Sequence, residues 1–236
     1  MARCCPQDTD ELLTCSLSGA KLKNKRKQSM SKIEYFYAGY SAFAYIGSAA
    51  FINIAADAGR EIDHRPVDLR AVVAAMGPTQ FGKRSPAHMD YYFGREIERW
   101  AEQRNIPIMD GTPTYHSNDI TLSNCMLIAG LVQGLNIDNL AHEMLRAHWV
   151  EDYDLDNRAD LKKIGQTVGL DPESLLETAV TPEVQNIYAK NTKEAIERSV
   201  FGSPTYFVDD DMFYGQDRLD LVARALKTPY TGKWPR

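Results

Sequence analysis

A proline at the head of a run of β-formers constrains this chain more than any other feature. The run is Val200-Phe201-Gly202-Ser203-Pro204-Thr205-Tyr206-Phe207-Val208-Asp209, and Met212-Phe213-Tyr214-Gly215-Gln216-Asp217-Arg218-Leu219 follows it. Proline has no N–H to give to a sheet ladder, so Pro204 belongs at a strand's first position, where the preceding X-Pro bond can be cis. Thr205 to Asp209 and Met212 to Tyr214 then read as two short strands joined by acidic turn residues. Gly215 opens an amphipathic helix through Leu219, Val222 and Leu226. An ordinary hairpin with a trans Pro204 fits the local spacing equally well.

A second segment, Ile33-Glu34-Tyr35-Phe36-Tyr37, is rich in β-formers and reads as a strand. Gly39, Tyr40 and Ser41 turn the chain into Ala42-Phe43-Ala44-Tyr45-Ile46, a helix continuing towards Ala58. Ser41 therefore sits at a helix N-terminus, where backbone N–H groups lack intrahelical partners and the macrodipole favours an anion. A serine there is usually an N-cap, and the same hydroxyl and amides that cap a helix can also hold a bound thiolate.

Between the two segments the pattern is helical. After a second strand at about Glu61 to Val67, the stretches near 68–76, 86–104, 119–134, 138–149, 157–168, 172–179 and 182–199 show helical spacing. Asp171-Pro172-Glu173 and Thr181-Pro182-Glu183 each place a cap, a proline at the first helical position and an acid in the first turn. A βαβ unit, an all-helical insertion and a helix leading into the Pro204 hairpin predict an α/β fold, a thioredoxin-like domain with a large helical insertion. The expected boundaries are an N-terminal extension at 1–29, the first part of the thioredoxin-like domain at 30–68, the insertion at 69–180 and the second part at 181–236. A ligand cleft is expected between the sheet and the insertion. In such folds the residue before a cis-proline offers its backbone N–H and C=O to a thiol-bearing peptide, which makes Ser203 and Pro204 candidate binding positions.

Together the segments resemble the 2-hydroxychromene-2-carboxylate isomerases, relatives of kappa-class glutathione transferases and of DsbA-type oxidoreductases. In that family the first strand runs into a Ser-Pro-Tyr-Ala-Tyr-Leu type turn, and Ser41-Ala42-Phe43-Ala44-Tyr45-Ile46 corresponds to it here. The hairpin from Phe201 to Leu219 matches more closely, and Arg99-Trp100-Ala101 with Asn105-Ile106-Pro107-Ile108 resembles the end of a long helix in the family's inserted domain. The resemblance covers roughly Lys32 to Leu226. It implies glutathione as cofactor, with Ser41 as the catalytic residue stabilising its thiolate and Ser203 pairing with the cysteinyl backbone. It places the γ-glutamyl end at Gln216 and Asp217. Where the family carries an Asn that touches glutathione, this chain has Gly82-Lys83-Arg84, and Lys83 could serve a peptide carboxylate instead. The chain departs from the family pattern at Ala38, Tyr40 and Ala42, and no complete set of aromatic-acid contacts can be matched.

The remaining composition narrows the function classes. The four cysteines are Cys4, Cys5, Cys15 and Cys125, none in a C-x-x-C, and the positions of a redox pair hold Ser41 and Ala44. Dithiol exchange through the first helix is thereby excluded. Cys125, in an apolar helical run, reads as a buried small hydrophobe, and the three others as reduced thiols of a cytoplasmic protein. At 236 residues and 44% hydrophobic content the chain can hold one large domain or a small one with a sizeable insertion, and a formal net charge of -5 argues against a nucleic-acid partner. No apolar run approaches the roughly 18 residues of a membrane span. Residues 1–29 lack hydrophobic periodicity and end in a basic cluster, which reads as a solvated extension rather than a signal peptide. His142 and His148 lie six apart on a helix and do not share a face, so no metal site is expected. His64, His88 and His116 stand isolated in the sequence, each a surface or satisfied buried histidine rather than a base.

Three functional readings follow. First is a glutathione-dependent isomerase or lyase of an aromatic catabolic intermediate, with a small aromatic or electrophilic substrate. Second is a kappa-like glutathione transferase or other glutathione-dependent enzyme using the same pocket. Third is a non-enzymatic binding protein of thioredoxin fold. Oligomeric state stays open, a homodimer among the options.

Overall fold

The computed structural model describes residues 32–77 and 84–232. Strand β1 (Ile33–Tyr37) leads into helix α1 (Ala42–Asp57) and strand β2 (Ile62–Pro66), which pairs in parallel with β1. Strands β3 (Thr205–Val208) and β4 (Asp211–Tyr214) form the expected hairpin, and β3 runs antiparallel to β1. The sheet order is β2-β1-β3-β4. The Ser203-Pro204 bond is cis, which decides between the two arrangements that the local spacing leaves open.

Alternation along β1 divides the interior. Ile33, Tyr35 and Tyr37 face the larger core, while Phe36 faces a smaller one with Val67, Val72, Ala195, Val200 and Phe207. On the larger side Tyr35 stacks on Tyr37 at 4.1 Å and on Tyr206 at 5.3 Å between ring centroids, and Phe51 of α1 closes over them. Helix α1 can approach the end of the hairpin because residue 47 is glycine. A Cβ there would lie 2.7 Å from the Gln216 Cβ.

Among the described residues no strand lies between β2 and β3. The connection is α2 (Leu69–Ala75), α3 (Pro86–Asp90), a π-helical turn (Tyr91–Arg95), α4 (Glu96–Arg104), α5 (Thr121–Val132), α6 (Asp138–Glu151), α7 (Arg158–Thr167), α8 (Pro172–Ala179) and α9 (Pro182–Glu197). Both Pro-marked starts are capped as read from sequence: Asp171 accepts from the Glu173 and Ser174 N–H groups, and Thr181 from that of Val184. Two details differ from the periodicity. The 86–104 stretch is interrupted by the π turn, which apolar spacing does not reveal. The final helix begins as a 3-10 turn (Gln216–Arg218) before α10 (Leu219–Lys227), because Gly215, at φ +101°, starts it from a backbone outside the helical region.

The insertion shares the larger core with the sheet, since Met126, Leu127, Met144 and Leu145 belong to the same buried cluster as Tyr35 and Tyr37. Cys125 is fully buried there, and burial pushes its thiol up to about 12. No helix of the described residues is long and apolar enough to cross a membrane. The expected N-terminal extension, its three cysteines and Lys83 lie outside the described residues.

Candidate active site

Ser41 caps α1: its Oγ accepts from the Ala44 N–H at 3.3 Å, and its carbonyl accepts from the Tyr45 N–H. The same hydroxyl donates to the Ser203 carbonyl at 3.2 Å, and the Ser203 Oγ accepts from the Ala38 N–H at 3.2 Å. The turn before α1 and the loop before the cis-proline are thus bonded in both directions, although 162 residues separate Ser41 from Ser203. Pro204 contributes from the strand side, its carbonyl accepting from the Gly215 N–H at 2.9 Å. The first turn of α1 carries no acidic residue, so no carboxylate of that turn offsets the positive end of its dipole.

The insertion grips the turn from the other side. Asn124 of α5, fully buried, accepts from the Gly39 N–H at 2.9 Å and donates to the Val67 carbonyl at 3.1 Å. Trp149 of α6 donates its indole N–H to the Tyr40 carbonyl at 2.8 Å. Neither residue was singled out from the sequence. A lone Asn or Trp in a helical pattern carries no signal of a contact 85 or 109 residues away.

Two cavities meet at Ser203. The larger, about 610 Å³, is walled by Tyr40, Phe43, Tyr92, Phe93, Trp149 and Tyr214, with Ser41 and Ser203 in its lining and Arg70 and His116 beside them. The smaller, about 210 Å³, is more polar and contains Ser203, Gln216, Asp217 and Arg218. Ser41, Ser203, Gln216 and Asp217 therefore converge on one connected region. Gln216 is buried and held by Arg104, whose guanidinium donates to its Oε1 at 2.8 Å and to its carbonyl at 2.9 Å. Asp217 pairs with Arg218 at 2.6 Å. Arg104 is a further residue that sequence reasoning missed. Lys83 is not placed, and Arg84, the described residue next to it, lies over the Tyr92 ring at 4.8 Å.

One sequence expectation needs correction. His116 is not isolated: its Nδ1 lies 3.0 Å from the Nε2 of His148, and its ring packs on Tyr40 and Trp149. Residue spacing hid the pair because the loop before α5 folds back on α6. His64 is the satisfied buried histidine expected, between the Tyr37 hydroxyl at 3.0 Å and Asp138 at 2.8 Å.

A sheet with a cis-proline loop facing the N-terminus of the first helix, and an all-helical insertion over that junction, defines a thioredoxin-fold protein of the inserted type. The chain belongs to the DSBA-like thioredoxin domain family, whose model matches residues 32–227. Curated relatives include the 2-hydroxychromene-2-carboxylate isomerase of Sphingobium xenophagum, 28% identical over 192 residues, spanning 80% of this chain and 95% of that protein. The Pseudomonas putida enzyme of the same name is 26% identical over 196 residues, spanning 82% of this chain and 93% of that one. A solved 2-hydroxychromene-2-carboxylate isomerase has the same fold with a TM-score of 0.67 at 23% identity, covering 83% of this chain and 94% of that one. The cytosolic disulfide reductase DsbM of Pseudomonas aeruginosa reaches 0.56 at 16% identity, covering 84% and 93%. The resemblance carried by the Ser41 and Pro204 segments holds at the level of family and fold.

Proposed function

We propose that this protein is a glutathione-dependent isomerase acting on a conjugated aromatic compound of the 2-hydroxychromene-2-carboxylate type, by reversible thiolate addition. The observation that carries this reading is the pair of cavities joined at Ser203, an aromatic cleft for the substrate and a polar pocket for a peptide, with Ser41 in the lining of the cleft and its hydroxyl bonded to the Ser203 carbonyl. The names of the curated relatives support the isomerase class.

Bound glutathione would supply a thiolate nucleophile that adds to a conjugated double bond and leaves a single bond free to rotate. An alkyl thiol ionises near 8.5, so turnover at neutral pH asks the site to favour the anion by about 1.4 to 2.7 kcal/mol. The α1 dipole contributes roughly 0.3–1 kcal/mol and one hydroxyl donor to a charged acceptor about 1.5–3. Ser41 has a single proton, and in the structure the Ser203 carbonyl accepts it. The Ser203 carbonyl would also accept from the cysteinyl N–H of a bound glutathione, and the Ser41 hydroxyl, released from it, would be free to donate to the sulfur, which would couple peptide pairing to thiolate stabilisation. Gln216 and Asp217 present an amide and a carboxylate to the γ-glutamyl end, with Arg104 fixing the amide. Lys83 is assigned to a peptide carboxylate on the same reading, and the protein's place is the cytoplasm.

The test is conversion of 2-hydroxychromene-2-carboxylate with and without glutathione, beside a panel of simple electrophiles. Isomerisation that requires glutathione is expected. Conjugation of the panel without isomerisation would assign a transferase instead, and a melting temperature indifferent to millimolar glutathione would remove the cofactor.

A further inference from the structure

The mechanism leaves a histidine pair unused: His116, partly buried, lines the aromatic cleft, and His148, buried, is bonded to it from outside the cleft lining. His148 Nδ1 lies 3.0 Å from the Tyr153 carbonyl, which can only accept, so that nitrogen carries the proton. Burial holds His148 below its ordinary value, hence neutral at pH 7 with a lone pair on Nε2. That lone pair receives the Nδ1–H of His116 at 3.0 Å. The chain of two bonds thus fixes the tautomer of His116: its Nε2 carries no proton. Among the described residues nothing donates to this nitrogen, and the partly buried His116 ring lines the cleft.

Arg70 stands beside it. One terminal nitrogen donates to the carbonyls of His116, Ser117 and Asn118, clamping the loop, and the guanidinium lies over the Tyr40 ring at 5.6 Å. Among the described residues it forms no ion pair with a carboxylate, and it too lines the cleft. Phe43, Tyr92 and Phe93, in ring contact with one another, also line the cleft.

We propose that His116 is a specificity residue whose Nε2 accepts a hydrogen bond from a hydroxyl of an aromatic carboxylate, with Arg70 taking the carboxylate and His148 positioning the imidazole. This rests on the aromatic-substrate reading above and adds the residues that recognise the substrate. His116 acts as acceptor and not as general base: burial, then His148, then Arg70 bring it down to about 4, too weak to hold an abstracted proton at neutral pH. The titratable and charged groups around the pair are Arg70, Tyr40, Tyr153, Asp152 and Asp154, and the two acids act on His148.

The experiment is calorimetric binding of trans-2-hydroxycinnamate and trans-cinnamate to the full chain without glutathione. Wild type is expected to favour the hydroxylated probe about tenfold, His116→Phe to bind both alike, and His116→Gln, which keeps an acceptor, to recover part of the preference. Arg70→Met should weaken both probes equally. Ring 15N spectra of the free protein should show His116 protonated at Nδ1 and the signature lost in His148→Phe, which a merely structural pair would not couple to hydroxyl preference. A hydroxyl preference that survives in a folded His116→Phe protein overturns the inference. Because no glutathione is present, hydroxyl selectivity that depends on His116 stands even where isomerase turnover is absent, and turnover with unaltered selectivity sinks the inference alone.

Discussion

Ser41→Ala separates the cap role that the structure shows from the thiolate-holding role proposed above. The substitution removes two hydrogen bonds, from the Ala44 N–H at 3.3 Å and to the Ser203 carbonyl at 3.2 Å, both near the long end of the useful range. Losing a Ser cap costs about 1 kcal/mol, which in a domain of this size lowers Tm by roughly 2–4 °C. The charge-assisted bond to a thiolate is larger, about 1.5–3 kcal/mol, or roughly 10- to 150-fold in glutathione-dependent turnover. Turnover measured against pH distinguishes the two. With the donor gone the bound thiol ionises at higher pH, so the mutant profile should move up the pH axis and recover part of its rate in alkaline buffer. A mutant with the wild-type profile and turnover and only a lower Tm would show that Ser41 is a cap and that Tyr40 or the backbone holds the sulfur.

Other substitutions probe how the site is held. Gly47→Ala should destabilise by about 1–3 kcal/mol and weaken glutathione binding, since its Cβ would meet Gln216, which Arg104 prevents from yielding freely; unchanged denaturant midpoint and affinity would refute the close approach. Asn124→Ala should cost about 2–4 kcal/mol by unpairing the buried Gly39 N–H and Val67 carbonyl, seen as a shift in the urea midpoint. Burial holds His116, His142 and His148 below their ordinary value, so the unfolded chain binds more protons as pH drops through about 6.5. Their stability contribution is complete above that value and is lost on acidification, by up to roughly 1.4 kcal/mol per pH unit for each, and a urea midpoint constant from pH 7 to 5 would contradict it.

The parts of this molecule that were legible in the sequence are those specified by neighbours in the chain. Pro204 before a β-run, Ser41 after a strand and the two caps before prolines are local signals, and each sits where its chemistry requires. The helical character of the insertion was equally readable from apolar spacing. What could not be read is every contact made at long range between elements of similar pattern. Asn124, Trp149 and Arg104 hold the site from helices whose sequence shows only that they are helices, and the His116–His148 pair arises from a loop returning to α6. The π turn at Tyr91–Arg95 escaped for another reason: one extra residue in a helix shifts the facing of side chains without breaking the apolar rhythm.

This division has a functional consequence. On the proposed function, the peptide end of the site is built by the thioredoxin-like part, from Ser41, Ser203, Pro204 and the Gln216 turn, where backbone geometry dominates. Much of the aromatic cleft comes from side chains of the insertion, namely Arg70, Tyr92, Phe93, His116 and Trp149. Side chains on helix faces can be exchanged without disturbing the sheet, whereas the turn from Ala38 to Ser41 is locked by Ser203, Asn124 and Trp149 at once. Under the proposed function, substrate choice is therefore the property most easily altered within this architecture, and the thiol end the least. An exchange of Tyr92 and Phe93 for smaller apolar residues should shift which aromatic compounds bind while leaving in place the pH profile of turnover, which the proposal sets at Ser41. A profile that moved with those exchanges would mean that the cleft wall, and not the helix N-terminus, controls the ionisation of the thiol.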